Sequence, residues 1–263
     1  MEKHLIFLDI DGTLLDNDRD LVPESAIEAI GKARENGHEV FLCTGRCRAF
    51  IPHVVRKIKL DGMVAGCGTS IYYRGKQLVR KRMAQELQRD IAEDLIDLHL
   101  DGILEGDGHC YFRDQPFVEI VKTFSKSNAK YGENCILSFQ QEDKLSFDKF
   151  CVWYDETGDI ETFKKKYEDI FEFIDRADDF YEVVPRGYSK ATGIEYLCQL
   201  TGVSRKNTIS IGDSANDLSM LGYTGISVAM GDGNPELFER VDYVTTGVAQ
   251  DGVKNALEHY HLI

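Results

Sequence analysis

Short apolar runs recur along this chain with a helical pattern between each pair, and that alternation restricts the fold more than any other property. Near the N-terminus, LIFL (5–8), EVFLCTG (39–45) and GMVAG (62–66) have the length and composition of buried strands. Between the first two lies PESAIEAIGKARENG, whose Ala26, Ile27, Ile30 and Ala33 share one helical face. Pro23 suits its first turn and Gly37 its end. A second helix is expected around Ala49 to Lys59. Strands alternating with helices predict a parallel sheet with right-handed crossovers. TSIYYRGKQLVRKR (69–82) then reads as a hairpin turning at Arg74-Gly75. After EVVPRG (182–187) the alternation resumes: helix SKATGIEYLCQLTG, strand TISIG, helix SANDLSMLGY, strand GISVAM, helix NPELFERV, strand DYVTT and a final helix.

The middle of the chain has another texture. From about Met83, the amphipathic AQELQRDIAEDLIDLHL is followed by short strands such as GILEG, CYFRD and KFCVWYD. Helices are expected near Pro116 to Lys130 and Ile160 to Ile170. Phe112, Phe117, Phe147, Phe150, Trp153, Phe163, Phe171 and Phe173 concentrate here, as in a separate hydrophobic core. This mixture predicts an inserted α+β domain over 83–185, interrupting a parallel-sheet domain made of 1–82 and 186–263. A chain of 263 residues has room for both.

A formal net charge of -14 argues against nucleic acid and anionic membranes as partners, while leaving room for a small anionic ligand at a local site. No apolar run approaches the roughly 20 residues of a membrane span. MEKHLIFLD enters a strand directly, leaving no room for a signal peptide. The seven cysteines are scattered without a C-x-x-C pair and read as reduced thiols in a cytoplasmic protein.

Polar residues cluster just beyond the strand runs. Asp9 and Asp11 follow LIFL, Thr44, Gly45 and Arg46 follow the second strand, and Gly212, Asp213, Asn216 and Asp217 follow TISI. Ligands of open parallel sheets bind at the carboxyl ends of the strands, so the three sets converge on one crevice. Like charges in a poorly hydrated place are costly unless a cation or a shared proton offsets them. Three or four carboxylates around one point call for a hard divalent cation, most simply Mg2+. Lys190 joins the crevice by another argument. Ser189 is a good N-cap, which puts Lys190 in a first helical turn, where a cation opposes the macrodipole. A neighbouring metal and phosphate would justify that placement.

Four ordered motifs, DIDGTL at 9–14, CTGR at 43–46, SKATGI at 189–194 and GDSANDLSML at 212–221, together resemble the haloacid-dehalogenase-like superfamily, specifically its Cof-type branch. The resemblance spans essentially the whole chain. It implies an α/β fold with a Rossmann-like parallel-sheet core domain and an inserted α+β cap domain. Three positions depart from the family pattern: Cys67-Gly68-Thr69 where Asn-Gly-Ala is usual, Ala191 where glycine is common, and Asp232 where asparagine is frequent. None coincides with the nucleophile, metal or lysine positions.

The resemblance implies a Mg2+-dependent phosphatase acting on small phosphomonoesters, sugar phosphates among them, by an aspartyl-phosphate on Asp9. Asp11 would protonate the leaving alkoxide and then take a proton from water, entering in the protonated state that a negative neighbour favours. Mg2+ would bind Asp9, the backbone carbonyl of Asp11 and Asp213, with Asp217 supporting directly or through water. The Thr44 hydroxyl, backbone N–H groups near Ile10, Gly12 and Gly45, the Arg46 region and the Lys190 ammonium would hold the phosphoryl oxygens. Asn216 would orient Lys190 or the phosphoryl group.

Other readings fit less well. An EF-hand at DNDRD lacks glycine and glutamate where Leu21 and Ile27 stand, so that segment reads as a solvated turn. A dehalogenase acting at carbon needs neither Asp11 nor Asp213. A phosphomutase would share DIDGTL, but VVPRGYSKATGIEYL looks like the phosphatase branch. A non-catalytic binding module would be expected to lack a motif residue, and none is missing. The inserted domain is expected to act as a substrate-selecting lid, with Glu105, His109 and Tyr111 as candidate contacts.

Overall fold

LIFL becomes β1 (Leu5–Leu8), all four residues buried, in a computed structural model that describes residues 2–132, 135–177 and 179–263. The amphipathic segment after it forms α1 (Glu24–Glu35), which buries Ala26, Ala29, Ile30 and Ala33. Next come β2 (Glu39–Cys43), the short α2 (His53–Arg56), β3 (Gly62–Ala65), β4 (Ser70–Tyr73) and β5 (Lys76–Arg80). The helix expected from Ala49 to Lys59 is broken into a single 3-10 turn, Arg48–Phe50, and α2. Pro52 is the cause. It lacks an amide hydrogen, and it drives Ile51 out of the helical region to ψ 122. The hairpin turn falls at Arg74-Gly75, both at positive φ (49° and 77°), as a two-residue turn between twisted strands requires.

The chain then builds α3 (Gln85–Asp97), β6 (Asp101–Glu105), β7 (Cys110–Phe112), α4 (Glu119–Ser125), α5 (Asn128–Tyr131) and β8 (Ile136–Ser138). β9 (Lys149–Trp153), α6 (Ile160–Tyr167), β10 (Phe171–Asp175) and β11 (Phe180–Pro185) complete this stretch. Its six strands lie in the order β10-β11-β9-β6-β7-β8, antiparallel apart from the β7–β8 pair. One core cluster joins α3 and α6 to the sheet through Ile91, Leu95, Phe163, Leu104, Phe150 and Phe171. A second contains Ile103, Cys110, Phe112 and Trp153 with Val121, Tyr131 and Phe50.

The return stretch supplies α7 (Lys190–Thr201), β12 (Thr208–Gly212), α8 (Leu218–Leu221), β13 (Ile226–Ala229), β14 (Tyr243–Val244) and α9 (Gly252–His259). The helix expected at NPELFERV shrinks to a turn, Pro235–Leu237. The Asp242 carboxylate accepts from the Ser227 amide and hydroxyl, and that pins the chain to β13 a few residues on. The eight-stranded sheet runs β14-β13-β12-β1-β2-β3-β4-β5, parallel from β14 to β3.

Two units result. The first is Met1–Gly45, Val54–Leu78 and Ser189–Ile263, and the second is Arg46–His53 and Val79–Tyr188. The second unit therefore includes a segment outside 83–185. Phe50 accounts for it, with ring centroids 4.5, 5.7 and 6.1 Å from Tyr131, Phe124 and Phe112. Among the described residues no helix is long and apolar enough to cross a membrane.

Candidate active site

β12, β1 and β2 are consecutive and parallel, with Leu8 level with both Ile211 and Leu42, so the residues after each strand emerge side by side. Asp9 continues β1 by one bond, its amide donating to the Ile211 carbonyl at 3.1 Å. The chain then coils tightly: the amides of Leu14 and Leu15 both donate to the Ile10 carbonyl, at 3.0 and 2.7 Å. Gly12 makes this possible at φ +70, and a Cβ there would lie 2.5 Å from Asp213 Oδ2. The same coil brings Thr13, which the sequence reading did not single out, to Asp213, its hydroxyl donating to Oδ1 at 3.4 Å.

Lys190 enters from the start of α7. Ser189 caps that helix in a capping box with Thr192, so the side chain of the next residue is fixed in direction. Its ammonium donates to Asp9 Oδ1 at 2.7 Å and to Asp217 Oδ1 at 2.5 Å. The other Asp217 oxygen accepts the amides of Asp213 and Ser214 at 2.9 and 3.1 Å. Asp9, Asp217 and Lys190 are almost wholly buried, at 3%, 0% and 1% exposure.

One carboxylate oxygen from each of Asp9, Asp213 and Asp217 lies within 4.8 Å of the others. Burial, then Asp217, push the Asp9 carboxyl well above the usual carboxylate range, against the pull of Lys190. Burial and Asp217 likewise raise Asp213 to about 7. Burial opposes the charge on Lys190, but Asp217 and Asp9 outweigh it and hold the ammonium well above its ordinary value. Fully ionised, three carboxylates against one ammonium leave two negative charges over. An all-oxygen donor set with that surplus fits a hard divalent cation.

The remaining expected site residues fall as follows. Ile10 is fully buried, so its backbone is what it can offer. Thr44 is buried at the end of β2, its amide bonded to the Val64 carbonyl and its own carbonyl to the Cys67 amide. Cys67, at φ 53, thus braces the Thr44 turn. Gly45 is the last residue of its stretch of the first unit, while Arg46 belongs to the second. There the Arg46 guanidinium donates to the Phe50 carbonyl and the Tyr131 hydroxyl at 3.1 and 3.2 Å. Asn216 accepts from the Ser214 hydroxyl at 2.7 Å. Asp232 accepts the Val248 amide at 2.9 Å and so holds a neighbouring turn. Nothing in the structure explains Ala191.

A family model for haloacid dehalogenase-like hydrolases matches residues 6–257. The chain belongs to that family. Curated relatives that it resembles over nearly all of both chains include the pyridoxal phosphate phosphatase YbhA of Escherichia coli, 26% identical over 100% of each. Another is the 5-amino-6-(5-phospho-D-ribitylamino)uracil phosphatase YcsE of Bacillus subtilis, 26% identical over 98% of this chain and 96% of the relative. Among solved structures, a protein of Geobacillus kaustophilus matches at TM-score 0.85 and 26% identity over 100% of both chains. A sugar phosphatase of HAD subclass IIB matches at TM-score 0.82 and 25% identity, over 99% of this chain and 100% of the other.

Proposed function

We propose that this hydrolase is a Mg2+-dependent phosphatase of small phosphorylated metabolites, sugar phosphates or similar phosphomonoesters, working through a phosphorylated Asp9. The observation that carries the reading is the buried Lys190 ammonium bridging Asp9 and Asp217 at the edge of a three-carboxylate cluster. The names of the relatives, each a phosphatase of a small phosphorylated compound, support the substrate class. Seven buried cysteines without a disulfide are in keeping with a cytoplasmic setting.

A carboxylate oxygen of Asp9 attacks phosphorus, and the bond from phosphorus to the leaving oxygen breaks. Asp11 gives its proton to that oxygen. Asp11 then takes a proton from the water that attacks the phosphorus, so that inorganic phosphate leaves and Asp9 is regenerated. The Lys190 ammonium, the Thr44 hydroxyl and the amides of Ile10 and Gly45 hold the phosphoryl oxygens, while the Gly12 amide is engaged within its own turn by the Leu15 carbonyl at 3.1 Å. Asp217, with both oxygens engaged, fixes Lys190 and the turn at Asp213 and Ser214, and Asn216 steadies that turn through Ser214. Asp9, the Asp11 carbonyl and Asp213 would hold Mg2+, with Asp217 supporting directly or through water, and the ion would supply the charge that lets an anionic nucleophile meet an anionic phosphate.

Phosphate release from a panel of phosphorylated metabolites, with Mg2+ present, tests the reading. Asp9→Asn should abolish release while leaving the unfolding transition cooperative. Wild-type turnover in purified, folded Asp9→Asn would overturn the mechanism. Conversion of a sugar phosphate to its positional isomer without phosphate release would make the chain a mutase.

A further inference from the structure

The turn that follows β1 carries a side chain aimed at Asp11. The amides of Asp18 and Arg19 donate to Asp16 Oδ1 at 3.1 and 3.2 Å, and Asp16 and Leu21 exchange backbone hydrogen bonds at 2.9 and 3.4 Å. The turn is thereby pinned at its base and along one side, with Asn17 at the next position. Only one orientation of the Asn17 amide gives complementary partners to both of its ends. In it, the nitrogen donates to Asp11 Oδ1 at 3.1 Å and the oxygen accepts the Gly12 amide at 3.2 Å.

We propose that Asn17 is a positioning residue for Asp11, holding its carboxyl in one rotamer through Oδ1. An amide N–H can only donate, so the Asp11 oxygen facing it must act as an acceptor. Asn17 therefore fixes which way the Asp11 carboxyl faces. Its second bond, to Gly12, ties that orientation to the coil that carries Asp11, where Gly12 lies against the Asp213 side chain. The inference rests on the acid-base role proposed for Asp11.

Asn17→Ala and Asn17→Asp, with Asp11→Asn alongside, should be assayed with Mg2+ on p-nitrophenyl phosphate and on a hexose phosphate. The aryl group leaves without help, whereas the alkoxide needs its proton. Asn17→Ala should lower kcat on the hexose phosphate roughly 10-fold, in line with the sensitivity of proton transfer to misplacement. The aryl substrate should fall by less than about 3-fold, with thermal midpoint and Mg2+ activation unchanged. Asn17→Asp should be worse than Asn17→Ala, because an isosteric carboxylate cannot donate. A purely structural turn residue would show the reverse order, since aspartate suits such turns as well as asparagine. Equal losses on the two substrates, or an Asn17→Asp enzyme matching wild type, would overturn the inference while a substrate-dependent loss in Asp11→Asn leaves the phosphatase reading standing. If Asp11→Asn itself loses both substrates equally, the acid role fails and Asn17's role fails with it.

Discussion

Lys149→Met should destabilise the second unit sharply. The Lys149 ammonium sits 2% exposed between Glu105 Oε1 at 3.2 Å and Glu182 Oε1 at 2.7 Å. Glu182 is also paired with Arg176, and burial alone would raise its pKa, yet Lys149 and Arg176 outweigh burial and hold it far below the usual range. Among the described residues, this cluster thus sets two carboxylates against two cations. Removing Lys149 leaves Glu105 buried against a neutral amide and a thiol, those of Cys47 at 3.2 Å and Cys151 at 3.0 Å. Breaking a buried ion pair from one side costs about 3–5 kcal/mol. With a urea m-value of about 2 kcal/mol per M, the midpoint should fall by roughly 2 M. Trp153, the only tryptophan, lies on the same strand and reports this unit by fluorescence. Adding Glu105→Gln restores neutrality and should recover most of the loss. A shift below about 0.5 M, or a double variant less stable than Lys149→Met, would refute the charge-balance argument.

Three further outcomes follow from particular contacts. Asp148, beside Arg80 at 3.2 Å, is raised by burial to about 6, so ionising it opposes folding above that pH, and the penalty is relieved as pH falls from about 6 towards 4. Between pH 7 and 5, wild type should therefore gain about 1–1.5 kcal/mol relative to Asp148→Asn in urea unfolding, and parallel pH profiles would count against it. EDTA should abolish phosphate release and Mg2+ restore it, with Ca2+ a poor substitute because its looser shell misplaces Asp9; full activity in excess chelator would exclude the metal site. Gly212→Ala would set a Cβ 2.5 Å from Asp217 Cγ, forcing the Lys190 anchor to move, and kcat should drop on the order of 10²-fold; unchanged kcat would show that Asp217 can shift freely.

The strand–helix alternation made the parallel sheet legible, because buried strands and amphipathic helices write opposite periodicities into the sequence. Capping chemistry located Lys190 in a first helical turn, since Ser189 is a good N-cap, and the structure adds Thr192 as the other half of a capping box. Pro52 stands inside the segment expected to be helical from Ala49 to Lys59, and its local conformational veto broke that helix. β10 and β11 were not singled out, although Phe171, Phe173, Val183 and their neighbours alternate as strands do; their pairing is a property of the sheet, not of either segment alone. Asn17 was hidden for a different reason. A polar residue in a run of aspartates looks like any solvated turn, and its partner becomes apparent only once the coil at Gly12 brings the chain back.

The short segment Arg46–His53 changes what can be cut out of this protein. Its membership of the second unit means the chain passes between units four times, at 45/46, 53/54, 78/79 and 188/189. A fragment spanning 79–188 would leave Phe50 behind and open the cluster of Phe112, Val121 and Tyr131 to water. Moving this unit into a relative as one contiguous cassette would therefore transfer an incomplete core. A working graft has to carry both pieces, and recombination between family members at the outer junctions alone is selected against by packing before any question of chemistry arises.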